Sequence, residues 1–349
     1  MNKNFYVLWI LTWLIWNTTF AVDVPRGLSS GRSDFKSHVL GDNCYSMDLL
    51  GSLPCNPAFL ARDPKKNWNA HVFFGNNVQY YKDAKDVLDN RGDTATFQRL
   101  FNQTRSSDLE ADLELGLRQD HYAFSLSPSK IAYYTLIRDR VLPYISLYAS
   151  QEQVLRFQEA WKLSNNFCFG IQARGVSRKL ILSDFFLTDL VAEGGSDRLL
   201  NIRYQNIFYL EPGIVWEIPE INMKPQVSLV ITQLGLADKK IDNLPVSPEA
   251  ELGASIRPEV SNGVLELGTH LSLHSQSQRW TDLFSAAAIY SLGVAQFAIS
   301  VRENQADLGF SLQLGKFQSG LLYDYQIFQN LIGERDERHT WYFEVGGEI

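Results

Sequence analysis

Histidine and cysteine are the side chains of this sequence best suited to metal or redox chemistry, and their spacing limits what they could do. His270 and His274 lie in "LELGTHLSLH", where apolar and polar residues alternate as on a β-strand. Four strand residues span about 13 Å, at roughly 3.2–3.4 Å per residue, which is too far for one metal ion. We therefore interpret both histidines as polar residues on one strand face, and we expect no metal site and no cofactor.

A serine hydrolase is also disfavoured. The sequence contains no G-x-S-x-G motif, which would present a nucleophilic serine on a sharp turn. Ser261, Asn262 and Gly263 match part of the outer-membrane phospholipase signature, but Glu259 stands where that signature needs a histidine. Asn-Gly is a strong hairpin signal, so we interpret these residues as a turn. We predict that the protein is not an enzyme.

Two of the three cysteines are close together in the sequence. Cys44 and Cys55 would close a small loop, and an oxidising compartment would permit a disulfide between them. We predict that disulfide, with a pair of free thiols as the alternative. Two cysteines alone make a poor zinc site, because structural zinc usually has four nitrogen or sulfur ligands. Cys168 is interpreted as a small apolar residue on a strand.

The first 21 residues, "MNKNFYVLWILTWLIWNTTFA", are typical of an export signal. A single lysine precedes an apolar run that is short for a membrane span of about 20 residues, and Ala21 is a small residue at the expected cleavage point. We predict a cleaved signal peptide at 1–21, with an N-terminal anchor as the alternative. The remaining chain has a net charge of 31 minus 39, or −8, which argues against nucleic acid as a partner.

A period of two dominates the rest of the sequence. In "SDLEADLELGLR" (107–118), leucine and alanine alternate with acidic residues, glycine and arginine, so one strand face is aliphatic and the other polar. Similar runs lie at 250–259, 265–274, 295–304, 306–315 and 339–349. Their lengths approach the 9–11 residues with which a tilted strand crosses a bilayer.

Alternation also occurs in soluble β-sandwiches, so other features must separate the two possibilities. The polar faces combine glycine and serine with isolated charges, and aromatic residues concentrate near strand ends, as in the interfacial girdles of membrane barrels. A spanning sheet must close on itself, because lipid cannot satisfy an open edge. We therefore predict an all-β fold, a transmembrane antiparallel β-barrel whose aliphatic face contacts outer-membrane lipid.

The number of strands is estimated from these runs. Fifteen candidates are found, but single-chain bacterial barrels have even numbers, so we expect fourteen strands, with twelve as the next choice. The short 178–183 is the weakest candidate. Helical spacing predicts short helices at 82–102, 152–161 and 184–193, and the charged run 333–339 is interpreted as a loop. The candidate strands are 69–75, 108–118, 120–137, 141–149, 166–175, 178–183, 205–218, 225–236, 248–258, 263–274, 284–292, 294–303, 306–315, 317–325 and 339–349.

Three stretches of the sequence resemble the superfamily of FadL-type outer-membrane barrels, which includes long-chain fatty-acid transporters and the PorV-like and plasmid-transfer TraF-like barrels. They are the "NPA" of Asn56, Pro57 and Ala58, the paired-strand region 208–235, and the final hairpins from 306 onward. The resemblance implies a fourteen-stranded barrel (68–349) and an N-terminal hatch or plug (22–67) lodged inside it. The sequence departs from the family at Gln233-Leu234-Gly235, where Asn-Leu-Gly is more usual, and at the final Ile349.

The resemblance implies a channel or transporter for hydrophobic small molecules such as long-chain fatty acids, in the outer membrane of a Gram-negative-type bacterium. A hydrophobic ligand would then be a partner. The alternative is a non-transporting barrel that serves secretion, conjugation or envelope assembly through protein partners. The inward-facing glycine, serine and charged residues argue against an apolar lumen along the whole barrel.

Overall fold

The fold is nearly all β. In a computed structural model, the described residues are 35–49, 53–64, 66–77, 105–137, 144–186, 202–218, 220–241, 246–273, 283–329 and 335–348. Two short α-helices and a 3-10 helix precede the strands: α1 (Phe35–Leu40), the 3-10 helix (Gly41–Tyr45) and α2 (Phe59–Arg62). The strands are β1 (Lys66–Asn77), β2 (Arg105–Gln119), β3 (Tyr122–Ile137), β4 (Tyr144–Lys162), β5 (Phe167–Phe186), β6 (Arg203–Glu217), β7 (Gln226–Thr232), β8 (Gly235–Ala237), β9 (Glu249–Ile256), β10 (Val264–Leu273), β11 (Phe284–Leu292), β12 (Ala295–Arg302), β13 (Gln305–Leu314), β14 (Phe317–Gln329) and β15 (Arg335–Glu348).

The strands form one closed antiparallel barrel. Strands β1–β7 and β9–β15 follow one another around the ring in sequence order, with β7 pairing directly with β9, and β1 pairs with β15 in a register that places Val72 opposite Val345. Strands β7 and β8 both pair with β6 and are separated only by Gln233 and Leu234, so they form one interrupted wall strand. The barrel therefore has fourteen strands, as the sequence predicted.

Side-chain exposure follows the predicted period of two. On β2, Leu115 is 44% exposed on the outside, while Glu114 beside it is 3% exposed on the inside. The same alternation continues around the ring, with apolar residues outside and mainly polar residues inside. The aliphatic face of 107–118 therefore lies on the outer surface of the barrel, which is the face that a bilayer accepts in membrane barrels.

The two ends of the barrel differ. At one end, short connections such as 120–121, 163–166, 293–294 and 315–316 join the strands, while most connections at the other end are longer. Short turns face the periplasm and longer loops face outward in outer-membrane barrels, so we call these the turn end and the loop end. Exposed Trp68, Trp161 and Trp216 lie near the turn end, and aromatic residues Tyr204, Tyr323 and Trp341 lie near the loop end.

The wall is taller on one side. Strands β4 and β5 have 19 and 20 residues, whereas β7 has 7. On the outward face of β4, Trp161, Phe157 and Leu155 are apolar and half-buried Glu159 lies among them; exposed Gln153 and Gln151 follow toward the loop end. The tall strands therefore continue beyond the apolar band of the membrane.

Three sequence predictions are corrected by the structure, two of them in the tall wall. Segment 152–161 is part of β4 and not a helix; its apolar residues mimic helical spacing because Val154 packs inward while Leu155 faces lipid. Segments 166–175 and 178–183 are one strand, β5. Part of the predicted loop 333–339 belongs to β15. Residues 184–186 continue β5, while 187–193 and the predicted helix 82–102 lie outside the described residues.

None of the described helices is both long and apolar enough to cross a membrane.

A charge placed on the lipid face should destabilise the barrel. Val72 is 53% exposed on the outer face of β1, within the apolar band. We expect Val72→Arg to lower the free energy of unfolding by about 2–4 kcal/mol near the bilayer midplane. Urea unfolding in lipid vesicles measures this, with folded barrel identified by its faster gel mobility before boiling. The control, Gln153→Arg at the membrane boundary, should cost only about 0–1 kcal/mol; equal losses would contradict a lipid-facing Val72.

Candidate functional site: the segment inside the barrel

Residues 35–49 and 53–64, here called the inner segment, lie inside the barrel. Helix α1 packs against β12, β13, β14 and β15, the 3-10 helix packs against β9, β10 and β11, and α2 packs against β4 and β5. The segment therefore crosses the lumen and contacts opposite parts of the wall. Strand β1 begins two residues after it, at Lys66.

The "NPA" residues form the turn that precedes α2. The Asn56 side chain is fully buried; its Nδ2 donates to the carbonyl of Tyr45 at 3.1 Å and to the carbonyl of Ile214 on β6 at 3.2 Å. Its Oδ1 accepts from the backbone N–H of Ala58 at 3.0 Å. Asn56 thus ties two parts of the inner segment to the wall, and this asparagine uses both its donor and its acceptor.

The wall opposite this turn is cut back by a pair of glycines. Gly170 on β5 and Gly213 on β6 are direct cross-strand partners. A Cβ added to Gly170 would lie 2.6 Å from the backbone N of Ala58, and one added to Gly213 would lie 2.3 Å from Oδ1 of Asn56. Only residues without a Cβ allow this backbone approach, so the glycine pair is the seat of the "NPA" turn.

Helix α1 sits on a similar but more apolar recess. A Cβ on Gly309 would lie 2.1 Å from Cγ2 of Val39, and one on Gly320 would lie 2.8 Å from the ring of Phe35. Phe35 and Val39 join an apolar cluster with wall residues of β11, β12, β14 and β15 and with Phe73 of β1 and Val230 of β7. We call these the apolar strip of the wall: Phe73, Val230, Ala287, Ile289, Ala298, Leu322 and Tyr342.

Polar contacts also attach the inner segment to the wall. Asn43 donates to Oγ of Ser285 on β11 at 2.9 Å. Gln226 on β7 donates to the carbonyl of Ser46 at 2.7 Å, and Gln158 on β4 donates to the carbonyl of Pro54 at 2.8 Å. These bonds satisfy backbone groups that would otherwise be buried without partners. Wall side chains therefore hold the inner segment by hydrogen bonds at several positions along its length.

His38 is the titratable side chain that α1 inserts into the wall. Its Nε2 lies 3.1 Å from a carboxylate oxygen of Glu110, and its ring stacks on Tyr342 with centroids 4.4 Å apart. Burial alone would lower the pKa of His38, but the Glu110 carboxylate, with Asp324 and Asp307 nearby, raises it above 6.5. The protonated imidazolium is thus the form that this acidic surrounding stabilises.

The structure pairs Cys44 with Cys55 in a disulfide, with Cα atoms 5.6 Å apart. The pair joins the 3-10 helix to the start of the "NPA" turn, so it links the parts of the inner segment that contact opposite walls. Cys168 lies on β5 and is buried against Ala58, Phe59 and Val215, where it fills space as a small apolar residue.

The remaining inward face, on β2–β6, is strongly charged. Arg174 donates to Glu211 at 3.0 Å with both side chains buried, and Arg156 donates to Glu114 at 2.8 Å. Glu211 also accepts the backbone N–H of Gln233 at 3.1 Å, at the interruption between β7 and β8. The lumen therefore carries paired charges on β2–β6, whereas on the other side the apolar strip lies among inward-facing acidic residues such as Asp307, Asp324 and Glu344.

The residues first considered for chemistry are dispersed. His270 faces inward and bonds to Glu251 at 2.7 Å, while His274 lies outside the described residues. Residues 261–263 lie in the connection between β9 and β10, and Gly263 has a φ of +85°. No group of three or more His, Cys, Asp or Glu side chains in the described ranges is arranged to hold a metal.

The sequence did not identify the glycine seats or the charged pairs. The sequence places these glycines on the polar face of a strand. Their function, however, depends on which strand lies beside them and on which residues of the inner segment approach them from the lumen. Gly170 and Gly213 are more than forty positions apart in the sequence and meet only through the register of β5 and β6. A usable signal would have been glycine on the inward parity of adjacent strands.

The comparisons with known proteins concern the fold. No family model matches the sequence, and no curated protein matches it. The toluene transporter TodX from Pseudomonas putida is 9% identical with a TM-score of 0.48, and TbuX from Ralstonia pickettii, also a toluene transporter, is 9% identical with a TM-score of 0.45; each match covers 84% of this chain and 92% of the other. CdiB from Acinetobacter baumannii is 11% identical with a TM-score of 0.36, over 81% of this chain, which spans 60% of the length of CdiB.

Transporter barrels are therefore among the solved structures that this chain resembles, as its sequence predicted. At these identities the likeness extends to the barrel and no further. The fold resembles the barrels of outer-membrane proteins.

Filling the glycine seat should displace the "NPA" turn. We expect Gly170→Val to destabilise the docked segment by about 1–3 kcal/mol, because the added atoms collide with backbone at Ala58. Limited proteolysis within 35–64 should become faster in the folded barrel. The matched control is Gly175→Val on the same strand, where an added Cβ meets nothing within 4 Å. Equal protease resistance of the two variants would contradict the seat.

The His38–Glu110 contact should make stability depend on pH. Because the folded-state pKa of His38 is raised above 6.5, its contribution is fully present below that pH and is lost as pH rises through the folded-state pKa. We expect the temperature at which the unboiled gel form is lost to fall over this range. In His38→Gln the fall should be smaller, whereas His121→Gln, in an exposed turn, should behave as wild type. An unchanged pH profile in His38→Gln would refute the assignment.

Proposed function

We propose that this protein is an outer-membrane channel for small hydrophobic molecules, with the inner segment as its plug. The observation that carries the proposal is the apolar strip of the wall, which lies beneath α1 and the 3-10 helix. In the closed state Phe35 and Val39 of α1 cover the part of the strip on β12–β15. Movement of α1 would uncover that apolar surface.

Such a surface favours hydrophobic cargo for a simple reason. Apolar area exposed to water in the lumen is unfavourable, so a molecule that replaces Phe35 and Val39 restores the lost burial. The small residues Ala298, Gly309 and Gly320 widen the strip where these side chains now lie. A charged solute would gain nothing from that surface.

We also propose the cellular setting that the sequence predicted. Residues 1–21 would direct export and be removed, and the barrel would reside in the outer membrane of a Gram-negative-type bacterium, with residues 22–67 as the hatch or plug. The proposed channel would require no catalytic residue and no cofactor. An oxidising periplasm would favour the bond between Cys44 and Cys55.

A crosslink between α1 and the wall tests the channel. The Cβ of an added side chain at Gly309 would lie 3.1 Å from Cβ of Val39, so the double variant V39C/G309C can be joined after small adjustments. We expect oxidation to reduce uptake of a hydrophobic fluorescent probe into vesicles at least tenfold. Reductant should restore uptake. V39C alone, treated in the same way, is the control.

The same assay separates the alternative function. If the oxidised double variant takes up the probe as fast as wild type does, the inner segment is not the plug of the channel. Absence of uptake in wild type and in the reduced variant would refute the channel and favour a barrel that acts through envelope protein partners. The observation that favours this alternative function is the extent of polar contact between the wall and the inner segment, including Asn43 with Ser285 and Gln158 with Pro54.

A further inference from the structure

A row of alternating charges crosses the tall side of the wall at one level. Asp112 on β2 is the cross-strand partner of Lys130 on β3, Lys130 is the partner of Glu152 on β4, and Glu152 is the partner of Arg178 on β5. All four face inward and are at most 7% exposed. We call these four residues the charged row.

The charged row does not satisfy its own hydrogen bonds. Within the described part of the chain, no hydrogen bond reaches Nζ of Lys130, either carboxylate oxygen of Glu152, or Nε and Nη1 of Arg178. Nη1 of Arg178 and the nearer oxygen of Glu152 are 3.8 Å apart, within ion-pair range but too far for a hydrogen bond. Buried charges without hydrogen bonds are costly, and native structures normally satisfy them.

Apolar clusters border the charged row on both sides. Toward the turn end lie Val154, Val176, Ile207 and Tyr209, and toward the loop end lie Ala132, Tyr134, Tyr148, Leu180 and Leu182. Two described residues of the connection after β8 cover these clusters: Ile241 packs on the second, and Val246 packs on the first. Gln205, the partner of Arg178, donates to the carbonyl of Lys239 in the same connection at 2.6 Å.

We propose that the charged row is a binding site for a zwitterion, in which an ammonium group and an oxyanion lie a few ångströms apart. The oxyanion would accept from Lys130 and Arg178, and the ammonium would donate to Glu152, so that the unpartnered atoms become paired. The row carries two positive and two negative charges, so an ion of either sign would meet like charge beside its partner. This site lies on β2–β5 and does not depend on the proposed hydrophobic cargo.

The bordering clusters define what can be attached to the zwitterion. A hydrocarbon chain on the ligand would lie along Val154 and Val176 or along Leu180 and Leu182, after the covering connection moves. The head group of an ethanolamine phospholipid and a free amino acid share the required charge pattern. The clusters favour the lipid, and the experiment distinguishes the two sources.

The test is ligand binding to the full-length folded barrel in nonionic detergent. The probes are lysophosphatidylethanolamine, alanine, and the anionic lysophosphatidylglycerol, and titration calorimetry measures each Kd. We expect wild type to bind a zwitterionic probe at least tenfold more tightly than lysophosphatidylglycerol. Binding of lysophosphatidylethanolamine without alanine indicates the lipid source, and binding of alanine indicates a free solute.

Two variants locate the binding. Glu152→Gln removes the negative charge with little change of size, and we expect it to weaken zwitterion binding at least tenfold while tightening lysophosphatidylglycerol binding. Lys130→Met should weaken both. The matched control is Glu251→Gln on the opposite wall, where the carboxylate is already bonded to His270; its Kd values should stay within twofold of wild type.

Specific results would overturn the proposal. Wild type that binds neither zwitterion, or that binds the anionic probe equally well, excludes a zwitterion site. Zwitterion binding that is unchanged in both row variants places the ligand elsewhere. Heat-sensitive gel mobility confirms that each variant is folded, and failure of hydrophobic uptake in the vesicle assay would leave this result untouched.

Discussion

Closure of the hydrogen-bonded ring is the constraint on which the rest of this structure depends. In lipid no water can satisfy a free strand edge, so β1 must pair with β15, and the register at Val72 and Val345 fixes every residue that follows. Once the ring is closed, the period of two assigns each side chain either to lipid or to the lumen. The inward-facing side chains then line a lumen. With fourteen strands this lumen is too wide for those side chains alone to fill, and the inner segment occupies the remaining space.

The wall and the inner segment are shaped by each other. Glycine on the inward parity weakens a strand by itself, yet Gly170 and Gly213 are adjacent because the turn at Asn56 needs backbone contact with the wall. The hydrogen bonds of Asn56 to Tyr45 and Ile214 then fix the turn in that seat. A barrel with ordinary side chains at these two positions would have to exclude the turn. The hydrophobic channel proposed here therefore needs a plug of which only one part leaves the wall. That part is α1, which packs on the apolar strip, while the turn at Asn56 stays in its seat.

The sequence predicted the fold because lipid enforces a simple pattern. Alternation in 107–118 and its repeats predicted the closed barrel once aromatic residues near strand ends and glycine and serine on the polar faces were added, and the even strand number of such barrels reduced fifteen candidates to fourteen. The same pattern gave a wrong strand end on β5. Ser177 and Lys179 face outward beyond the apolar band, where outward residues need not be apolar, so the alternation stops although β5 continues. It failed differently in 152–161, because Val154 finds apolar partners inside the lumen while Leu155 faces lipid. The seats and the charged row could not be predicted, because they exist only between strands whose register the sequence does not state.

The two sides of the lumen make opposite demands on what passes through it. The apolar strip beneath α1 stabilises Phe35 and Val39 by excluding water, whereas the charged side retains groups such as Lys130 and Glu152 that need polar partners. A pure hydrocarbon satisfies only the first side and a free ion satisfies neither. A molecule with an apolar body and a zwitterionic end satisfies both, provided that the inner segment and the connection after β8 move apart. In the proposed channel, the asymmetry of the wall would restrict the chemistry of the cargo more than the barrel fold does, since one fold can serve proteins of different function.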